Sequence, residues 1–269
     1  MTRAIAALPM YDPPALQAAN DALWTAIAAG LRRRGVDAPD RLTRGPDLDA
    51  IWRSPDLLLA QACGYPLVGR LDGQVQLVAT PRYRAPGCSG ALHRAAIVVA
   101  ADSRFDSLAM LQGRRCAINS RDSNTGMNLL RARIAPLADQ GRFFGAVSTT
   151  GSHAASLLAV VRGDADVAAI DAVTLALLTD TDPALTEPVR ILDWSDASPG
   201  LPLITAATTP PARLAALRDA LDAVAADPDL AAVRTALRLE GFSRLAREDY
   251  EPVAAFERDA RRHGVHALA

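Results

Sequence analysis

Lysine is absent: all 29 Lys+Arg positions among the 269 residues are arginine. That excludes Schiff-base chemistry and a P-loop lysine on phosphate. Cysteine is scarce, with only Cys63, Cys88 and Cys116. Their spacing fits no zinc or iron–sulfur pattern, and an odd count argues against a full disulfide framework. Aromatic residues make up only 4% of the chain. No apolar stretch reaches the roughly 18 residues of a membrane helix. A surplus of charge is missing too, since the net charge is −1. The one basic run, Arg32-Arg33-Arg34, falls at an expected helix end, where the helix dipole favours cations, so a nucleic-acid footprint is not indicated. His93, His263 and His266 show no metal-ligand spacing with carboxylates and read as strand and surface residues. No metal and no cofactor is expected. The N-terminal MTRAIAALPMYDPP passes from a short strand into a proline-rich loop rather than through a secretory signal. The expectation is a cytoplasmic chain, or one that begins after a removed signal.

What remains is an alternation of strands and helices. Strands are expected at Arg3–Leu8, Asp56–Ala60, Gln74–Ala79, His93–Ala100, Arg115–Asn119, Ala165–Ile170, Val189–Asp193 and Leu201–Thr208. Leu16, Leu23, Ile27 and Leu31 form a helical stripe that opens after Asp12-Pro13-Pro14 and stops before Gly35. From Pro210 the chain reads as wholly helical, with segments at Ala212–Ala225, Asp229–Leu239 and about Arg247–His263. Such alternation predicts an α/β fold on parallel sheets, with the helical tail packed on an existing layer.

Two strand–loop–helix units within Gly113–Asp171 carry the chemistry. The first loop offers Ser120, Ser123, Asn124, Thr125 and Gly126; the second offers Thr149, Thr150, Gly151, Ser152 and His153. Helix N-termini present unpaired N–H groups and partial positive charge, so small polar residues stationed there can hold an oxyanion without a cationic side chain. Both loops would lie at the carboxyl ends of strands, where open α/β sheets place ligands. The same residues are also ordinary helix caps. His153 reads either as a neutral hydrogen-bond donor to an anion or as a histidine of a capping region. Asp171, at a strand end, would accept from a ligand or cap the next helix. Tyr11 and Tyr65 would line a pocket wall or pack within their own unit.

The segments "SLAMLQGRRCAIN…S-N-T-G…LLR", "G-S-H-x-x-S-L-x-A-V" and "G-x-A-D-V-A-A-I-D" resemble the phosphate, phosphite and phosphonate substrate-binding proteins of ABC transporters over about residues 95–178. The resemblance implies a two-lobed α/β fold, the type II periplasmic-binding-protein fold, with two crossover strands and a helical C-terminus. Residues 1–97 and 203–269 would form the first lobe and 98–202 the second, with ligand clamped by hinge closure. It implies Ser123, Asn124, Thr125, Gly126 and His153 as ligand contacts, with Tyr11 and Tyr65 on the opposite wall; the reading of the loops adds Ser120, Ser152 and Asp171 as candidate contacts. The acidic residues that recognise an aminoalkyl group have no match, and position 173 is Val. By this resemblance the chain is a monomeric, non-catalytic carrier of a small oxyanion, delivering it to an ABC permease from the periplasm. It would be cytoplasmic if no signal precedes Met1. Two other classes fit the same architecture: an enzyme similar to chorismate dehydratase, and a small-molecule sensor akin to LysR-type effector domains.

Overall fold

The computed structural model describes residues 4–45 and 47–268. In chain order the strands are β1 (Ile5–Ala7), β2 (Leu57–Gln61), β3 (Val75–Tyr83), β4 (Leu92–His93), β5 (Ala95–Ala100), β6 (Arg115–Ile118), β7 (Ala146–Thr149), β8 (Val167–Asp171), β9 (Val189–Trp194), β10 (Ser198–Pro199), β11 (Leu203–Ala206) and β12 (Leu239–Ser243). The helices are α1 (Gln17–Arg33), α2 (Leu48–Trp52), α3 (Gly64–Val68), α4 (Leu129–Ile134), α5 (His153–Val161), α6 (Ala172–Thr181), α7 (Pro183–Thr186), α8 (Pro211–Ala226), α9 (Ala231–Ala236) and α10 (Glu251–Arg262). Arg3, the expected start of the first strand, lies outside the described residues.

The chain divides into two compact units. One is Met1–Arg84 with Ser89–Ala91 and Pro199–Tyr250; the other is Ala85–Cys88 with Leu92–Ser198 and Glu251–Ala269. The sheet of the first unit runs β1-β2-β11-β3-β12. β1 and β2 are parallel, while β11 is antiparallel to both β2 and β3. The sheet is therefore mixed rather than parallel. β2, with the sequence LLLAQ, is buried at every position, as a strand covered on both faces requires. On α1, Leu23, Trp24, Ile27 and Leu31 are buried. The helix ends where Gly35 turns to φ +73 and Val36 N–H closes back on the Leu31 carbonyl, which needs a left-handed residue. Gly30 lets α1 approach α8 closely: a Cβ there would meet Ala220 Cβ at 3.3 Å.

A strand also follows Thr208, where only helix was expected. β12 pairs antiparallel with β3, Leu239 opposite Tyr83 and Ser243 opposite Thr80, with a register shift between Leu239 and Gly241. Arg238 at φ 51 makes the turn out of α9, and Gly241 at φ 151 carries the irregularity. LEGFS is too short and too glycine-broken to show a strand pattern, so pairing to the long β3 decides its state.

The second unit holds the sheet β7-β6-β8-β5-β9. β6 is parallel to β7 and β8, while β5 is antiparallel to β8 and β9. β5 and β8 are almost wholly buried. Ala96, Val98, Ala117, Ala168 and Ile170 pack there with Leu157 and Val160 of α5. Residues 251–269 belong to this unit, not to the first as expected. The cause is local: Val253 and Ala260 are the buried face of α10, and Asn128 Nδ2 donates to the Val253 carbonyl at 2.9 Å.

Just before that segment, Tyr250 is fully buried in the first unit. Its hydroxyl donates to the Gly200 carbonyl at 3.0 Å and lies 2.7 Å from Thr80 Oγ1. Burial raises its pKa well above the ordinary phenol value. Tyr250→Phe should cost about 1–3 kcal/mol, because it leaves buried acceptors without a donor. Chemical denaturation of the two proteins measures this; equal midpoints would show that the hydroxyl contributes nothing.

Candidate functional site

In the second unit the first loop ends in a π-turn, Asn124–Asn128, that runs directly into α4. Asn128 N–H bonds the Ser123 carbonyl at 3.0 Å and Leu129 N–H bonds that of Asn124, both five residues back. A wide turn of this kind re-aims the first residues of a helix and is frequent at functional sites. Ser123 caps it, its Oγ accepting from Gly126 N–H at 3.0 Å. Ser120 sits at the loop entrance and donates to the Asp122 carboxylate.

Asn124 and Asn128 are wholly buried and point inward. Asn124 Nδ2 donates to Ser198 Oγ at 2.8 Å, and Asn128 Nδ2 donates to Asn124 Oδ1 at 3.1 Å. Arg131, also buried, donates to Asn128 Oδ1 at 2.8 Å and to the His266 carbonyl at 3.2 Å. A chain of polar contacts thus runs from the turn to the C-terminal segment. Asn124 is a brace of the loop through this chain, which its type and position alone did not reveal.

The second loop closes on Ser152, whose Oγ accepts from Ala155 N–H at 3.1 Å and so caps α5. Thr150 Oγ1 donates to the Ile118 carbonyl at 3.2 Å, pinning the loop to the end of β6. His153, the first residue of α5, places Nε2 3.3 Å from Thr125 Oγ1. The two loops expected from the sequence therefore meet, through Thr125 and His153. Gly126 is needed at this junction: a Cβ there would lie 1.8 Å from Asn119 Oδ1 and 3.1 Å from His153 Cε1.

Behind His153 lies a cluster that no sequence pattern indicated. Asp171 is buried, and its Oδ1 accepts from Val173 N–H at 3.0 Å and Thr174 N–H at 2.9 Å, capping α6. Of the two roles open for Asp171, the structure displays the cap. Its Oδ2 lies 3.0 Å from Nδ1 of His93, which is equally buried. The β5–β8 register, Ala95 opposite Asp171, brings these two residues together. That pairing is antiparallel and long-range, so the sequence had shown His93 only as a strand residue. Burial would raise the Asp171 pKa, but the charge interactions and hydrogen bonds with His93, aided by His153 and Thr174 N–H, outweigh it and hold the group at about 2. Burial pushes His153 below the ordinary histidine value, against the pull of Asp171. No group of three or more His, Cys, Asp or Glu side chains that could hold a metal occurs among the described residues.

The expected tyrosines belong to the first unit. Tyr11 is buried and stacks edge-on against Tyr83 with ring centroids 5.1 Å apart. Tyr65 is half-buried in α3. Cys116 is buried, as expected of a core strand, and burial raises its thiol pKa.

Two consequences are measurable. Gly126→Ala should destabilise the second unit, and adding Asn119→Ala should recover part of the loss, because the nearest clash is with that side chain. Melting curves of the single and double variants that simply add would refute the contact. Acidification should act in two stages. His153 binds fewer protons folded than unfolded, so stability present above pH 6.5 declines as pH falls below it. Asp171, held at about 2 against an ordinary 3.8, contributes stability above about pH 4 that is lost toward pH 2. Thermal melts from pH 8 to pH 3 should show both stages in the wild type and only the second in His153→Gln.

The chain matches the sequence profile of the family described as "ABC transporter, phosphonate, periplasmic substrate-binding protein" over residues 5–250. No curated protein matches it in sequence. Among solved structures, the binding protein component of an ABC phosphonate transporter from Pseudomonas aeruginosa superposes with a TM-score of 0.77 at 17% identity, covering 98% of this chain and 88% of that one. PhnD1 from Prochlorococcus marinus, solved in complex with methylphosphonate, gives 0.75 at 13% identity and covers 96% and 98% of the two chains. XAC2383 from Xanthomonas citri, solved with chloride, gives 0.74 at 17% identity and covers 98% and 99%. No helix among the described residues is long and apolar enough to cross a membrane. The fold is that of the two-lobed periplasmic binding proteins of type II, and the chain belongs to the phosphonate substrate-binding family of ABC transporters, whose role is to bind a solute.

Proposed function

We propose that the protein binds a small tetrahedral oxyanion of the phosphonate, phosphite or phosphate type and presents it, without chemical turnover, to an ABC permease from the periplasm. The observation that carries this is the meeting of two helix N-termini at the contact between Thr125 and His153. Thr125 brings a hydroxyl and His153 an imidazole to that contact, groups that suit an anion with several acceptor oxygens. Ser152, exposed at the start of α5, keeps its hydroxyl proton available while its oxygen accepts from Ala155 N–H. Asp171 and Asn124 serve from behind, as cap and brace. Two structural neighbours support an anion ligand, since one was solved with methylphosphonate and another with chloride and with ATP.

A thermal-shift screen of phosphate, phosphite, methylphosphonate, methanesulfonate, acetate and ATP tests the proposal. A ligand at 100 times its dissociation constant should stabilise by about 2.7 kcal/mol. Thr125→Ala should weaken binding of the best ligand by about 1.5–3 kcal/mol, the range for a hydrogen bond to a charged group. Stabilisation by acetate alone, or unchanged calorimetric affinity in Thr125→Ala, would refute the assignment.

A further inference from the structure

We propose that His153 takes up a proton as the oxyanion binds, so that the site captures anion and proton together, with the buried His93–Asp171 pair setting the charge balance that requires it. This rests on the reading that Thr125 and His153 receive the ligand.

The argument is one of charge in a confined space. The groups placed beside His153 at the contact, the Thr125 hydroxyl and, across Gly126, the Asn119 amide, are neutral. The charged or titratable groups that act on His153 are Asp171 at the end of β8 and His93 on β4. His93 and Asp171 are each at most 3% exposed, so water does little to screen them. An oxyanion entering beside a neutral His153 would add a negative charge next to a buried carboxylate whose facing group, His93, is already engaged with it. Uncompensated buried charge is among the costliest arrangements a protein can hold. A proton on His153 produces an alternating series of anion, imidazolium and carboxylate. It also lets both ring nitrogens donate. Beyond Asp171, the backbone at Ala169 also favours the protonated ring through a hydrogen bond, so the buried edge of His153 can accommodate an added proton.

Burial keeps the ligand-free ring neutral near pH 7, so the proton must arrive with the anion. The sign follows. Binding coupled to proton uptake strengthens as pH falls, from the pKa of the complex down to that of the free ring, and is flat below both. His93 disfavours charge on His153, so His93→Gln should raise the free ring's pKa and move the window to higher pH.

The experiment uses the full chain with labelled histidines, followed by 1H–15N spectra from pH 5 to pH 8.5, with and without saturating methylphosphonate. His153→Gln assigns the ring and, in calorimetry, supplies the ligand's own proton count. The expected result is a His153 ring that is neutral at pH 7 alone and charged in the complex. Wild-type affinity should rise by up to about tenfold per unit of falling pH beyond that of His153→Gln. In His93→Gln the profile should shift to higher pH while binding persists. A His153 ring that stays neutral in the saturated complex, or identical pH profiles for wild type and His153→Gln, would overturn the inference while leaving oxyanion binding intact. Failure of methylphosphonate, phosphite and phosphate to bind the folded protein at any pH would instead remove the functional reading, and this inference with it.

Discussion

The buried carboxylate of Asp171 joins two helix-starting N–H groups to a histidine just before the neighbouring strand. One oxygen ends β8 and starts α6 by accepting two backbone N–H groups, and the other faces His93. A buried carboxylate is tolerable only when its oxygens are occupied and its charge is answered. The answer comes from a histidine that the β5–β8 pairing delivers, so the sheet register and the electrostatics of the ligand loops are one constraint. A one-residue slip would turn alternate side chains of β5 to the other face. Asp171 would lose the histidine that faces its free oxygen, and the carboxylate that acts on His153 would be held differently.

The π-turn depends on a second buried polar chain. Fully satisfied networks of this kind specify a single arrangement, because each broken link leaves a costly orphan. Asn128 holds the turn to the α10 backbone, and Arg131 holds Asn128 to the last residues of the chain. Glu257 lies 3.8 Å from Arg131, a further tie to α10. The C-terminal segment is therefore a support of the candidate site, which explains why it leaves the first unit after Tyr250 to pack against α4.

Local chemistry was legible in the sequence where it depended on neighbours along the chain. The two polar loops, their strands, the α1 stripe and the caps at Ser123 and Ser152 all follow from short-range patterns. Family resemblance added the fold and the solute-binding role. What escaped detection is long-range. β12 forms because β3 offers a free edge, His93 matters because β8 lies beside it, and Asn128 and Arg131 look like ordinary helix residues until α10 covers them. The departure from a parallel sheet has the same origin, since β5 and β11 are reached from outside the βα units that suggested parallel order. Gly126 was legible as part of a loop, but its necessity comes from Asn119, seven positions earlier and folded back over it.

The use of arginine completes the picture. In a chain without lysine, arginine must supply every fixed cation, and many are committed to surface pairs such as Arg70–Asp49 at 2.7 Å and Arg115–Asp166 at 2.9 Å. Asp49 and Asp166 are held below the usual carboxylate range mainly by hydrogen bonds from those arginines. Exposed pairs of this kind contribute little stability each, but they leave few guanidinium groups unengaged. The buried Arg131 braces the binding turn from behind instead of facing it. A planar bidentate clamp would grip an oxyanion through strong charge-assisted bonds. A carrier must also let go. In the proposed site, hydroxyl and imidazole groups at two helix ends would hold an anion through several weaker contacts, and the only charge among them would be one that a proton can add or remove.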